Sequence, residues 1–293
     1  MEKKVDIVQE NKRYSFYPKI SALISLPAKQ RGIHMSRTSE TIEEIINEVI
    51  FKPTPSVEVV GDRIARELLK KHPYTRKIHV KLEGKIVVQT KDEQQRNIQK
   101  SYKISSFVKA RKNESGNIDF NYYIGASAVG MTVCPCAKEM SQEYAEDIIK
   151  NRRDINLQEA DIKKLLNILP FSSHNQRSKG TIIVQIKDLN NHKIDVLDII
   201  DIIEGSMSGK MQSVLKRPEE ARLVRTAHLN PLFSEDVVRQ MAKNFILSDF
   251  PNLEDHCKIK FSIESYESIH PHNVYSELKT TIGELRRIIL NKN

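Results

Sequence analysis

Two spacings of apolar residues alternate along the chain. Ile42, Ile45, Ile46, Val49 and Ile50 recur three, four, seven and eight positions apart, which places them on one helical face and predicts a helix over 39–51. Thr41, with Glu44 three residues on, has the pattern of a capping box at its start. Val60, Ile64, Leu68 and Leu69 repeat the stripe over 56–71, with Ser56 as cap and Pro73 as stop. The period then falls to two. Residues 79–82, 85–89, 102–108 and 118–124 read as strands, with Gly116-Asn117 as a turn. Residues 181–186 and 258–266 read the same way. Residues 196–203 and 212–215 read as helical pieces, and 234–246 as a helix capped by Ser234 with Val237, Val238, Met241 and Phe245 on one face. Helices are also expected over 139–149 and 157–169, and a first strand over 22–26.

Strand groups separated by helices, without strict β-α-β alternation, give an α+β class. The expected organisation is an irregular N-terminal arm, 1–20, a first unit, 21–125, and a similar second unit, 126–293. The units join near 124–133, and the second carries a helical insertion at about 137–170.

The first residues are charged and lack the apolar core of a signal peptide, and no segment nears the ~20 apolar residues that span a bilayer. A cytoplasmic chain without membrane association is expected. Cys134, Cys136 and Cys257 are too few for a disulfide framework; Cys257 reads as a core residue. The net charge of +9 favours anionic partners, either nucleic acid or a polyphosphate nucleotide. The basic residues form no single arm or helical stripe, which disfavours nucleic acid.

Five segments concentrate chemistry. Cys134-Pro135-Cys136 offers two thiols, for a metal or for proton transfer, or simply as small buried side chains. Ser173-His174-Asn175-Gln176-Arg177 is either a polar loop or a ligand and phosphate site, since guanidinium matches phosphate geometry. In Glu267-Ser268-Ile269-His270-Pro271-His272-Asn273, an extended backbone points both imidazoles the same way, as ligands, acid/base groups or a solvated strand end. Leu215-Lys216-Arg217-Pro218-Glu219-Glu220 and Asn230-Pro231-Leu232-Phe233-Ser234-Glu235-Asp236 carry charges that also suit a surface or a first helical turn.

Together with Gly32-Ile33-His34-Met35-Ser36-Arg37, these segments resemble the type IB GTP cyclohydrolase family, in the family's order and over about the whole chain. The resemblance implies two tandem tunnelling-fold (T-fold) units, each an antiparallel sheet with helices on one face, and GTP as substrate. It also implies self-association as a homodimer or homotetramer with sites at the interfaces. A divalent metal would be held by Cys134, His174 and Glu220: Fe(II) foremost, with Mn(II) or Zn(II) as alternatives. Cys136 would be the catalytic thiol, with Glu267, His270 and His272 handling protons. Glu235 would anchor guanine, and His34, Arg37, Arg177, Lys216 and Arg217 are candidates for the triphosphate. The 40 positions between Cys134 and His174 look more like the methanopterin-pathway branch. Its expected product is 7,8-dihydroneopterin 2′,3′-cyclic phosphate, with formate and diphosphate. The alternative is dihydroneopterin triphosphate for folate or deazaguanine pathways. A noncatalytic protein with a structural metal, or a nucleic-acid-binding protein, stands further off.

Overall fold

A computed structural model describes residues 4–9, 12–51, 54, 56–92, 94–152, 154, 156–189, 194–250 and 252–290. The elements run β1 (Val5–Gln9), β2 (Lys12–Ile24), α1 (Met35–Phe51), α2 (Val57–Lys71), β3 (Lys77–Lys91), β4 (Asn97–Lys112) and β5 (Ile118–Val133). Then come α3 (Pro135–Asn151), α4 (Glu159–Ile168), β6 (Asn175–Ile186), α5 (Val196–Gly205), β7 (Gly209–Lys210) and α6 (Arg217–Leu229). The chain continues with α7 (Ser234–Leu247), β8 (Lys258–Ser265), β9 (Val274–Thr281) and α8 (Ile282–Leu290).

Among the described residues the strands form one antiparallel sheet in the order β1-β2-β3-β4-β5-β6-β8-β9, with β7 beside β5. The element order β-β-α-α-β-β occurs twice. The second occurrence has α3 and α4 inserted between β5 and β6, and β7 and α6 between α5 and α7. The expected boundary at 125/126, and the junction near 124–133, therefore fall inside β5, which pairs with β4 on one side and β6 on the other.

Burial follows the period of two. Ile78, Val80, Leu82 and Ile86 of β3 face a core with Ile104 and Val108 of β4 and Ile182 and Val184 of β6. Ile46, Ile64, Leu68, Ile199 and Phe245 from α1, α2, α5 and α7 fill the same layer. Gly180 permits a close approach of α5 to β6: a Cβ there would meet Ile203 Cγ2 at 2.5 Å. On the opposite face Lys81, Lys109 and Lys260 lie over the rings of Phe107, Tyr123 and Tyr275. Cys257 is buried in the core, as expected.

Several sequence readings need correction. The supposed irregular arm supplies β1 and most of β2, because Val5, Ile7, Tyr14 and Phe16 alternate into the core; residues 1–3, 10 and 11 lie outside the described residues. The α1 helix starts at Met35, so Thr41 is interior and its hydroxyl donates to the Arg37 carbonyl at 2.6 Å instead of capping. The side chain of Ile50 lies outside the described residues. Residues 212–215 are not helical; α6 begins beyond them, where Pro218 suits a first turn. Ser234 is the first residue of α7 and its hydroxyl turns inward to Ser265. The turn at 113–117 forms as expected, with Gly116 at φ 83°.

Candidate active site

The β5–β6 ladder builds the centre of the site. Its last register pair is Val133 with Asn175, so the next residues outward, Cys134 and His174, meet across the strand ends. The Cys134 amide donates to the His174 carbonyl at 3.1 Å, and Ser173 Oγ donates to the Cys134 carbonyl at 2.6 Å. Cys134 is the extended N-cap of α3 and is half-buried; Pro135 occupies the first helical turn, and Cys136 beside it is exposed. The two thiols therefore belong to different backbone conformations, not to one strand.

His174 is oriented through Gln176. The Gln176 amide Nε2 donates to Glu267 Oε1 at 3.2 Å, and its Oε1 lies 3.1 Å from His174 Nδ1. A carboxylate only accepts, which settles the amide orientation. An amide oxygen also only accepts, so Nδ1 carries the proton. In neutral His174 the Nε2 lone pair is then free for a ligand or a proton. Glu267 Oε2 stands 3.9 Å from Nδ1, with the two side chains only 15% and 8% exposed.

Glu267, His270 and His272 sit in the loop between β8 and β9, which is bent and not a strand end. Even so, the imidazoles of His270 and His272 stack at 5.3 Å with 17° between planes, and His270 meets His174 edge-on at 6.4 Å. The Tyr266 amide donates to the Arg177 carbonyl at 3.0 Å, tying this loop to β6 while the Arg177 side chain stays exposed.

Glu235 is exposed in the first turn of α7 and accepts from Ser276 Oγ of β9 at 3.2 Å. The loop before it docks on the site, as the Leu232 amide donates to the Val133 carbonyl at 3.0 Å.

Glu220 is not brought to Cys134 and His174. Helix α6 reaches the site through its other end, where His228 Nε2 faces the Ser173 carbonyl at 3.2 Å and Nδ1 faces Val224 O at 2.8 Å. Glu220 precedes His228 by two turns, about 12 Å along the axis at ~1.5 Å per residue. The start of α6 is held elsewhere: Glu219 accepts from the Lys216 amide at 2.8 Å and from Arg96 at 3.1 Å. Those bonds hold its carboxyl below the usual range, and Lys216 and Arg217 remain exposed. Among the described residues no three His, Cys, Asp or Glu side chains are close enough to hold a metal ion. Cys134 and His174 fit a borderline divalent metal in kind, but this structure does not close a three-donor set.

His34 and Arg37 lie far from this cluster. Arg37 donates to the Lys71 carbonyl at 3.3 Å, and the His34 ring packs edge-on to Tyr74 at 6.0 Å. This is the end of the sheet where Ile24, Ile78, Ala110 and Phe120 align across β2, β3, β4 and β5. Cys134 lies past the other end of β5, roughly 46 Å along the strand from Phe120 at ~3.3 Å per residue.

The sequence reading passed over Gln176, Ser173 and His228 as individual site residues. The signal for Gln176 was its position two residues past His174, on the same side of an extended segment. Nothing local marks His228, whose role depends on the docking of α6.

The type I GTP cyclohydrolase folE2 family model matches residues 1–276. The GTP cyclohydrolase MptA of Methanosphaera stadtmanae is 35% identical over 98% of this chain and 90% of its own length. The GTP cyclohydrolase MptA of Methanothermobacter thermautotrophicus is 36% identical over 98% of this chain and 88% of its own length. Among solved structures, urate oxidase of Bacillus sp. TB-90 has the same fold, at TM-score 0.53 and 12% identity over 92% of this chain and 88% of that one. The register that joins Cys134 to His174 across β5 and β6 thus sits in a chain that belongs to the type I GTP cyclohydrolase folE2 family.

Proposed function

We propose that this enzyme hydrolyses GTP at guanine C8, releases formate and diphosphate, and forms 7,8-dihydroneopterin 2′,3′-cyclic phosphate for methanopterin-type pterin synthesis. One observation carries the chemical part of the reading: Gln176 holds His174 with Nδ1 protonated and Nε2 available, in a residue whose backbone is bonded to Cys134 and whose ring meets His270 edge-on, with His272 stacked on His270. The relatives named GTP cyclohydrolase MptA support the choice of product.

In this reading Glu235 accepts hydrogen bonds from the guanine ring N–H and amino group. Glu267 and Gln176 keep His174 in one tautomer. Cys136, His270 and His272 are exposed and close to the reacting carbon, where they deliver and remove protons as the imidazole ring opens. Arg177, Lys216 and Arg217 lie at the same end of the sheet as Cys134 and supply positive charge for the triphosphate. Fe(II), or Mn(II) or Zn(II) in its place, would be held by Cys134 and His174, with Glu220 as third donor once α6 presents it. When bound, such a metal supplies Lewis acidity and an acidic water.

The tandem T-fold organisation and self-association belong to the same proposal. The doubled β-β-α-α-β-β order supports the first. Two features support the second. His34 and Arg37 sit at the wrong end of the sheet to share a site with Cys134 of the same copy. Helix α3 buries none of its residues and exposes Met140, Tyr144 and Ile148 as one stripe. Among the described residues no helix is long and apolar enough to cross a membrane. A cytoplasmic location is part of the same proposal. The test is formate release from GTP by the protein reconstituted anaerobically with each of the three metals. Formate from GTP supports the reading, and its absence with every metal from folded, reduced protein overturns it.

A further inference from the structure

Four buried hydroxyls join the segments that carry the site. Thr132 Oγ1 lies 2.7 Å from Ser178 Oγ, Ser178 Oγ lies 2.8 Å from Ser265 Oγ, and Ser265 Oγ lies 2.9 Å from Ser234 Oγ. They are 1%, 0%, 0% and 8% exposed in the order Thr132, Ser178, Ser265, Ser234. Each belongs to a different element: β5, β6, β8 and α7. Each also stands within two positions of a site residue in sequence. Thr132 is two before Cys134, Ser178 two after Gln176, Ser265 two before Glu267, and Ser234 immediately before Glu235.

Packing alone does not call for hydroxyls here. On the same face of β5, Ala126 and Ala128 fill the core without a polar atom. A buried hydroxyl is costly unless bonded, and these four bond one another only while all four elements hold their relative positions. The chain therefore ties the first turn of α7 to the strand ends that present Cys134, His174 and Glu267.

We propose that the Thr132–Ser178–Ser265–Ser234 chain is a positioning device for the cyclohydrolase reaction, fixing Glu235 on the guanine side relative to Cys134 and His174 on the reacting side. This rests on the reading of Glu235 as the guanine anchor. Ser265 is the hub, because of the four hydroxyls it is the one bonded to both Ser178 of β6 and Ser234 of α7.

The test measures kcat and KM for GTP, per folded protein, in Thr132→Val, Thr132→Ser and Ser265→Ala, with thermal melting as a separate reading. Displacements near 1 Å at a reacting centre cost on the order of 100-fold. Thr132→Val keeps shape and removes the hydroxyl, and it and Ser265→Ala are expected to lower kcat/KM about 10- to 100-fold. Thr132→Ser keeps the hydroxyl and is expected to stay near the wild type. Ser265→Ala is also expected to be non-additive with Glu235→Gln, since both act on one contact. If Ser265→Ala does not fold, Ser234→Ala at the chain's end gives the same reading. Unchanged kcat and KM in the folded variants, with only melting lowered, would overturn the proposal and leave the Glu235 reading standing. A wild type that releases no formate would overturn both.

Discussion

The Cys134 amide donates to the His174 carbonyl at 3.1 Å, although forty positions separate the two residues in the chain. The helices α3 and α4 fill that interval and return the chain to the strand it left. The contact explains how an inserted helical pair leaves the site intact: the β5–β6 register, and not the loop length, sets the geometry.

Gln176 is the link through which His174 and Glu267 orient one another. Gln176→Leu removes both hydrogen bonds and frees the imidazole to change tautomer. Comparable losses around ligating histidines run to about 10–100-fold. Steady-state kinetics should show a fall of that size in kcat/KM with little change in melting temperature. Wild-type kinetics in Gln176→Leu would contradict the role.

His34 and Arg37 lie at one end of the sheet and Cys136 at the other. If copies share sites, Arg37→Ala and Cys136→Ala proteins, each inactive alone, should regain formate release when co-expressed as mixed oligomers. Complementation assays on purified mixed species check this. No recovery in verified mixed oligomers would place the triphosphate contacts elsewhere.

His72 is buried at the C-terminal end of α2, with Nδ1 2.7 Å from the Tyr74 hydroxyl and Nε2 3.1 Å from Thr38 Oγ1. Burial first, then the charges of Arg37 and His34, hold its imidazole below the ordinary value. Protonation is therefore harder in the folded chain than in the unfolded one. The His72 contribution is complete above the unfolded value of about 6.5 and is lost as pH falls from there through the folded value. Urea midpoints at pH 7.5 and 5.5 should fall less in His72→Gln than in the wild type. His79, also held low by burial and by Lys109 and Lys77, remains in both proteins and cancels. Equal slopes would contradict the assignment.

Glu204 of α5 is 6% exposed and accepts from Tyr102 Oη at 2.8 Å and from Lys100 Nζ at 3.3 Å. Burial, then Glu204, push the Tyr102 phenol far up, so it stays a donor at all ordinary pH. Tyr102→Phe leaves the carboxylate one donor short, at a cost of about 1–3 kcal/mol. A lower guanidinium midpoint at constant slope would show it, with formate release per folded protein unaltered.

Periodicity made most of the fold legible. The period-two runs of β3, β4 and β6 and the stripes of α1, α2 and α7 all lie within observed elements. The misses have physical reasons. β1 and β2 look irregular because charged and polar residues interrupt them on the outer face, while α6 is amphipathic only weakly and is placed by His228. β9 exposes alternate residues as an edge strand, leaving little apolar signal. Of the site, His174 and Gln176 come together with Glu267 and His270 of the β8–β9 loop, a grouping implied by the family resemblance and not by any local spacing. The separation of Glu220, His34 and Arg37 from them depends on tertiary placement, which no local pattern encodes.

The product of GTP turnover tests the central claim most directly. Fe(II)-loaded protein, kept anaerobic, is given GTP, and the pterin and phosphate products are read by mass. Formate and diphosphate with a dihydroneopterin cyclic phosphate is the expected result. Formate with dihydroneopterin triphosphate and no diphosphate would contradict the methanopterin-type reaction proposed for this chain.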